Sequence, residues 1–305
     1  MESSKTLYFL VGPTAVGKTH LALEWAEARG AEILSCDAFC VYRGMDIGTA
    51  KPTAEEQARV PHHGIDLVGV DTLYSVADYM KEAQAVVDDV LSRGRDILVA
   101  GGSGFYLKSF FAPVVDKIHV PPEIRERVGW IFETGGLEGA VDELLTLNPD
   151  GLGDLDAFNP RRVARALERC LASGRSLAEQ AAAFSRQGTP FDRFRRRVCL
   201  LERDTAELDR RVEERARAML AEGLVEEVAR LRGEGVESNP SASKAIGYRE
   251  TLRFLDGECD EDGLLAAISR NTRRLVRKQR TWFRTQTPVE QKVDAGAVSA
   301  GDLFA

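Results

Sequence analysis

The run Gly12-Pro13-Thr14-Ala15-Val16-Gly17-Lys18-Thr19 combines glycine, lysine and a hydroxyl at the spacing G-x4-G-K-T. Each part has a separate job on a phosphate. Glycine lets backbone N–H groups point at phosphate oxygens, Lys18 adds a positive charge, and the Thr19 hydroxyl can ligate Mg²⁺. The spacing predicts a loop that cradles a pyrophosphate-containing small molecule, in a chain that is an enzyme. An ordinary P-loop ATPase or kinase also needs an acid at a neighbouring strand end, to hold Mg²⁺ or to activate a nucleophile. Asp37 stands at such a position, with a helix-capping or surface aspartate as the bland alternative. The apolar run 97–100 instead ends in Gly101-Gly102-Ser103-Gly104, without an acid, which weakens a simple hydrolase reading.

These residues need elements to hold them. Residues 7–11 form a short apolar run ending in the glycine loop, the pattern of a buried parallel strand. A helix is expected over Lys18–Arg29, with Leu21, Leu23, Trp25 and Ala26 as its apolar surface, then a strand over Glu32–Cys36 terminated by Asp37. A helix over Val76–Ser92 and a strand over 97–100 follow. This alternation predicts an α/β fold, a P-loop NTPase-like parallel sheet core flanked by helices. Ligands of such sheets bind beyond the carboxyl ends of the strands, so the ends at Gly12, Asp37 and Gly101 should converge. From about Val115 the character changes. Pro121-Pro122 opens a charged helical stretch that continues through Asn159-Pro160 and a run from Arg161 to Leu171, and the next strand-like run is 198–201. The expectation is a helical insertion domain at 115–190 between two parts of the core, 1–114 and 191–305. Asp204-x-x-Glu207 has the form of a capping box before a helix through Met219.

With 305 residues, 44% hydrophobic and 29% charged, the chain has the composition of a soluble globular protein and the length of one large domain plus a smaller one. The polar start carries no basic-plus-hydrophobic leader and no run is long enough to cross a bilayer, so a cytoplasmic protein without a membrane partner is expected. Cys36, Cys40, Cys170, Cys199 and Cys259 are scattered and odd in number, which fits reduced thiols. Cys36-x3-Cys40 lacks the second cluster that a zinc site needs. A net charge of −7 argues on its face against nucleic acid. The average conceals an acid-free stretch containing Arg270, Arg273, Arg274, Arg277, Lys278, Arg280 and Arg284, and basic clusters at 161–169 and 193–197. A polyanion needs a local basic surface rather than a basic total, so RNA stays open as a partner. Taken singly, each of these residues is more often a solvated charge.

Beside the P-loop, the run Asp37-Ala38-Phe39-Cys40-Val41-Tyr42-Arg43-Gly44-Met45-Asp46-Ile47-Gly48-Thr49-Ala50-Lys51-Pro52 resembles the tRNA dimethylallyltransferase family. Further matches are His62-His63-Gly64-Ile65-Asp66, Gly101-Gly102-Ser103-Gly104-Phe105-Tyr106, the run 159–168, Ala245-Ile246-Gly247-Tyr248 and Lys278-Gln279-Arg280-Thr281-Trp282-Phe283-Arg284. They follow the family's order over nearly the whole chain. The resemblance implies transfer of a dimethylallyl group from dimethylallyl diphosphate to N6 of the adenine immediately 3′ of the anticodon, releasing pyrophosphate. It also implies Mg²⁺ as cofactor, no ATP, the tRNA anticodon stem-loop as partner, and a monomer of the compact bacterial form. Gly12, Pro13, Thr14, Ala15, Val16, Gly17, Lys18, Thr19 and Arg215 would hold the diphosphate, with Thr19 the metal ligand. Asp37, Ser103 and Lys18 would be catalytic. The tRNA-contacting positions would be Asp37, Ala38, Phe39, Cys40, Ser103, Arg125, Arg161, Arg162, Val163, Ala164, Arg165, Lys244, Ala245, Ile246, Gly247, Tyr248 and Arg249.

The chemistry can be rationalised from these residues. An adenine amino group is a poor nucleophile, and Asp37 could orient it and accept its proton. The departing pyrophosphate gains charge, which Lys18, Mg²⁺ on Thr19 and backbone amides would stabilise. The target base must leave its stack, which is easier in a loop than in a duplex. Ser103 stands where the family usually has Thr, and the family's Asp-Ser-x-Gln is Asp37-Ala38-Phe39-Cys40 here. A cysteine cannot replace the paired donor and acceptor of an amide, so base or tRNA discrimination is expected to differ. The rival readings are an adenylate isopentenyltransferase acting on a free nucleotide, a P-loop kinase, and an RNA-binding module with a dead P-loop. The helical insertion and the Arg-rich segments favour tRNA over a mononucleotide.

Overall fold

The computed structural model describes residues 5–116 and 118–305. The expected leaderless start at 1–4, and position 117 of the insertion, lie outside the described residues. The elements are β1 (Thr6–Val11), α1 (Lys18–Arg29), β2 (Glu32–Cys36), α2 (Ala54–Arg59), β3 (His62–His63), α3 (Val76–Ser92), β4 (Ile97–Gly101) and α4 (Gly104–Lys108). They continue with α5 (Pro122–Thr146), α6 (Pro160–Ser173), α7 (Leu177–Ser185), β5 (Arg195–Glu202), α8 (Thr205–Ala221), α9 (Leu224–Gly233), α10 (Tyr248–Leu255), α11 (Glu261–Gln286) and β6 (Gln291–Asp294). The chain divides into two compact units, one of 1–112 with 190–305 and one of 113–189.

The first unit is a six-stranded parallel sheet in the order β3-β2-β4-β1-β5-β6. The α/β expectation with a P-loop-type core is met. Alternation along β1 explains the two faces. Leu7, Phe9 and Val11 pack against Tyr79, Ala83, Val86, Val87 and Val90 of α3, while Leu10 packs with Leu21, Ala22 and Trp25 of α1. Leu7, Phe9 and Leu10 are fully buried, each contributing roughly 1.5–3 kcal/mol. Such burial fixes the register of β1 between β4 and β5, and so fixes the loops at the strand ends.

The expected spans of α1, β2 and α3 are matched end to end. β5 begins at Arg195, before the apolar run, because Thr6 to Val11 pair with Arg195 to Leu200. The sheet also extends to β3 and β6, whose two and four polar or half-buried residues carry no strand pattern. At α8 only half of the expected capping box forms. Asp204 accepts from the N–H groups of Ala206 and Glu207 at 2.8 and 3.1 Å, but the Glu207 carboxylate pairs with Arg203 instead of returning to the cap.

The second unit is helical. Val128, Ala140 and Leu144 of α5 pack against Val163, Ala166, Leu167 and Cys170 of α6. α5 is broken at Gly136, whose φ of 62° is not helical. Among the described residues no helix is long and apolar enough to cross a membrane.

Candidate diphosphate and acceptor site

The glycine-containing loop at residues 12–17 leaves β1 at Val11 and enters α1 at Lys18. Ala15 (φ 66°) and Gly17 (φ 110°) both take left-handed backbone conformations. For a residue with a Cβ this costs roughly 1–2 kcal/mol, so Ala15 must be held from outside. Arg211 of α8 donates Nε–H to the Ala15 carbonyl at 2.7 Å, and Arg203 donates Nε–H to the Val16 carbonyl at 3.2 Å. Lys18 Nζ donates to the Gly12 and Pro13 carbonyls, both at 2.8 Å. The loop's carbonyls are thus turned toward cations of the protein, and the α1 N-terminus carries the positive end of the helix dipole.

A cavity of about 600 Å³ opens over this loop, lined among others by Thr14, Gly17, Lys18, Thr19, Asp37, Cys40, Gly101, Gly102, Arg211 and Arg215. Asp37 and Gly101 line it together with Thr14, two residues past Gly12, so the loops at the three strand ends meet here. Burial, and next the charge of Arg215, push the Lys18 pKa down to about 7, against the opposing pull of Asp37. Burial also lowers the pKa of Arg215, which donates to the Thr49 carbonyl at 3.2 Å. Two cations that repel each other in a sheltered cavity favour an anion between them.

Asp37 follows β2 directly, and its Oδ1 accepts from the Phe39 N–H at 2.9 Å. The turn is tied to the end of β4 by Ser103. Its N–H donates to the Cys36 carbonyl at 3.1 Å, and its Oγ accepts from the Ala38 N–H at 2.9 Å. Ser103 therefore uses its acceptor to place Asp37 and keeps its hydroxyl hydrogen as a donor. Cys40 is buried, and burial pushes its thiol well above the ordinary range, so it faces the cavity as a neutral group.

The stretch from Tyr42 to Pro52 owes its shape to distant partners. Glu227 of α9, itself buried, accepts from the backbone N–H groups of Asp46 (3.1 Å), Ile47 (2.8 Å) and Gly48 (3.3 Å). It also accepts from the Tyr248 hydroxyl at 2.5 Å. Gly48 lies so close to the Tyr248 ring that a Cβ there would come within 2.4 Å of Cε2, which excludes any side chain. Lys51, also buried, closes the loop through Asp46 and Asp66 at 2.6 Å each and the Tyr42 carbonyl at 2.8 Å. Thr49, Ala50 and Pro52 are thereby fixed as one wall of the cavity.

For Mg²⁺ the fit rests on Thr19, in the first turn of α1, exposed and lining the cavity. Among the described residues no group of three or more His, Cys, Asp or Glu could form an all-protein cage. That donor set suits a hard cation that takes most of its oxygens from a diphosphate and water.

The loop residues 12–19, Asp37, Ala38, Phe39, Cys40, Ser103 and Arg215 belong to the sheet unit. Lys244 and Arg249 are exposed on that unit, and Arg249 pairs with Glu250. Arg125, Arg161, Arg162 and Arg165 are exposed on the helical unit, Arg165 pairing with Glu168 at 3.3 Å. Three of the positions expected as tRNA contacts have buried side chains. Val163 is fully buried in the α5–α6 core, Tyr248 is fully buried on Glu227, and Ala245 packs in the same cluster as Tyr248. Their side chains pack in the cores of the two units. Sequence reasoning missed Arg203, Arg211, Glu227 and Gln279. Gln279 lay inside a matched run and Arg211 stood one turn before Arg215, but no local spacing marks Glu227 or Arg203.

The fold and the site define a class, a P-loop α/β enzyme with an anion-binding loop and a carboxylate at the next strand end. Comparison with known proteins narrows it. A family model described as IPP transferase matches residues 40–286, beginning just past Asp37. The tRNA dimethylallyltransferase of Opitutus terrae is 54% identical over 299 residues, 98% of this chain and 96% of that protein. That of Geobacter sulfurreducens is 38% identical over 288 residues, covering 94% and 92%. The crystal structure of the full-length tRNA isopentenylpyrophosphate transferase from Bacillus halodurans matches with a TM-score of 0.69 at 31% identity, over 96% of this chain and 90% of that one. A eukaryotic dimethylallyltransferase, described as acting on tRNA, matches with a TM-score of 0.83 at 23% identity over 96% and 74%, a likeness of fold. The chain belongs to the IPP transferase family.

Proposed function

We propose that this enzyme transfers the dimethylallyl group of dimethylallyl diphosphate to N6 of the adenine immediately 3′ of the anticodon in tRNA, releasing pyrophosphate. The observation that carries the reading is one cavity in which the mutually repelling Lys18 and Arg215 stand over the phosphate-cradling loop, with the Asp37 carboxylate in the same lining. The acceptor is supported by the name that full-length relatives share.

The donor diphosphate lies against the backbone N–H groups of the loop, with Lys18 and Arg215 on its oxygens. Arrival of that negative charge offsets the burial and the Arg215 repulsion that depress Lys18, and holds the ammonium protonated. As the N6–carbon bond forms, the allylic carbon–oxygen bond breaks, its electron pair leaves with the pyrophosphate, and Asp37 takes the N6 proton. Lys18, Arg215 and the loop amides match the charge that grows on the leaving group. Thr19 would hold a Mg²⁺, which when bound neutralises part of the diphosphate charge. Ser103, tied to Ala38, keeps Asp37 in place and offers its remaining hydrogen to a substrate oxygen. Arg125, Arg161, Arg162 and Arg165 give the helical unit exposed cations for the tRNA backbone, and Lys244 and Arg249 give the sheet unit its own. The protein acts in the cytoplasm as a monomer.

Purified protein incubated with dimethylallyl diphosphate, Mg²⁺ and total tRNA is expected to yield prenylated adenosine by nucleoside mass spectrometry. Prenylation of free AMP with none in tRNA would assign the enzyme to mononucleotides instead.

A further inference from the structure

Gln279 of α11 is 9% exposed, and both ends of its amide are engaged by backbone. Its Oε1 accepts from the Thr14 N–H at 2.9 Å, and its Nε2 donates to the Gly102 carbonyl at 3.0 Å. Thr14 belongs to the loop after β1, and Gly102 to the turn after β4. The β1–β4 ladder ends at the pair Val11 and Gly101, so beyond it the sheet no longer ties the two loops together. Gln279 joins them just past that point. The helix that delivers it is fixed by Val276 and Phe283, which are 5% and 1% exposed. The approach is close, since a Cβ on Gly102 would come within 2.7 Å of Nε2.

The tie reaches further through the next residue. Ser103 holds the Cys36 carbonyl and the Ala38 N–H, the two backbone groups that flank Asp37. Hydrogen bonds and the Gly102–Ser103 peptide link thus connect the phosphate-cradling loop through Gln279 to the backbone on either side of Asp37. The Thr14 N–H is held by this chain, so phosphate ligation falls to the amides after it.

We infer that Gln279 is a positioning residue, the strut that sets the spacing between the diphosphate-holding loop and the Asp37 turn. This rests on the function proposed above for its kinetic consequence, and on geometry alone for its effect on the loop. Its loss should leave the protein folded but let the two halves of the site drift. A displacement of about 1 Å at reacting atoms costs on the order of a hundredfold in rate.

Two variants test this. Gln279→Leu removes both hydrogen bonds. It should weaken binding of inorganic pyrophosphate, measured by calorimetry, by about tenfold, the worth of roughly one hydrogen bond of 1.4 kcal/mol. The same variant should lower kcat by about a hundredfold with the KM for tRNA unchanged. Gln279→Glu keeps an acceptor for Thr14 but loses the donor to Gly102 unless its carboxyl is protonated. Its kcat relative to the parent should therefore rise as pH is lowered from about 9 to about 6, the span in which a buried carboxyl takes up a proton. A residue that merely stabilised the fold would move the melting temperature and not create this pH profile. Parent-like kcat and pyrophosphate affinity in Gln279→Glu across that range, or in a folded Gln279→Leu, overturn the proposal. Pyrophosphate binding needs no acceptor. A parent protein that binds pyrophosphate but prenylates no tRNA therefore fails the proposed function, while the affinities of the variants still decide the strut.

Discussion

The loop at residues 12–19 and the segment at 37–52 line the same cavity, yet cations on its carbonyls dominate the ties of the first, while a single carboxylate gathers the amides of the 46–48 turn in the second. In the first, Lys18, Arg203 and Arg211 donate to the carbonyls of Gly12, Pro13, Ala15 and Val16. In the second, the Glu227 carboxylate collects the N–H groups of Asp46, Ile47 and Gly48. A loop whose carbonyls are bound to cations directs its amides at a ligand. A loop whose amides are bound to a carboxylate presents side chains instead. The first offers amides to the cavity, and the second holds a wall and the Asp37 carboxylate in place.

The largest expected effect breaks the acceptor half alone. Asp37→Ala should lower turnover by about a thousandfold, the scale of a lost general base, while tRNA affinity in a filter-binding assay stays within about twofold. Near-normal turnover would remove Asp37 from the base role. On the other half, Lys18→Met should weaken pyrophosphate binding by about a hundredfold, the scale of a lost preorganised charge contact.

Lys18 also gives the comparison a pH signature. Its pKa is about 7 in the folded protein against an ordinary 10.5, so between these values the unfolded chain binds more protons than the folded one. This group's contribution to stability therefore rises as pH increases from about 7 toward 10, and is flat below 7. Pyrophosphate needs the charged form, so its affinity should fall as pH rises above about 7, with proton uptake on binding seen as a buffer-dependent calorimetric heat. Lys18→Met, which has no such group, should lose the proton uptake beyond that of pyrophosphate itself.

Glu227→Ala should behave in the reverse sense. Unpairing three part-buried backbone N–H groups and the buried Tyr248 hydroxyl should lower unfolding stability by about 4 kcal/mol or more in a denaturant titration, at roughly 1–3 kcal/mol for each of the groups left unpaired. An unchanged midpoint would mean that the 46–48 loop holds its shape without Glu227. The smallest effect belongs to the exposed arginines. Arg161→Ala should weaken tRNA binding a few-fold and reduce the slope of log affinity against log salt by about one, without altering pyrophosphate affinity.

The same contrast explains what could be read in the sequence. The grip of residues 12–19 is local: strand, glycine spacing, lysine and helix stand in one stretch, and α1 falls on its expected span. Asp37 and Ser103 were legible because each follows a short apolar strand. Glu227 was not, because its partners lie about 180 residues earlier and nothing in the helix 224–233 marks that residue among its acids. Likeness to a family run also says nothing of which way a side chain faces. Val163 was grouped with Arg161, Arg162 and Arg165 as an RNA contact. The apolar spacing of Val163, Ala166, Leu167 and Cys170 already marked it as the buried face of α6. β3 and β6 escaped because short polar edge strands are fixed by pairing, not by pattern.

The most direct test of the account is whether the loop at 12–19 grips a prenyl diphosphate and not a nucleoside triphosphate. In a single-turnover reaction with dimethylallyl diphosphate labelled in both carbon and phosphorus, Mg²⁺, tRNA and no ATP, pyrophosphate should appear in step with prenylated adenosine, one for one. Absence of product until ATP is added, with phosphate transferred from it, would contradict the account.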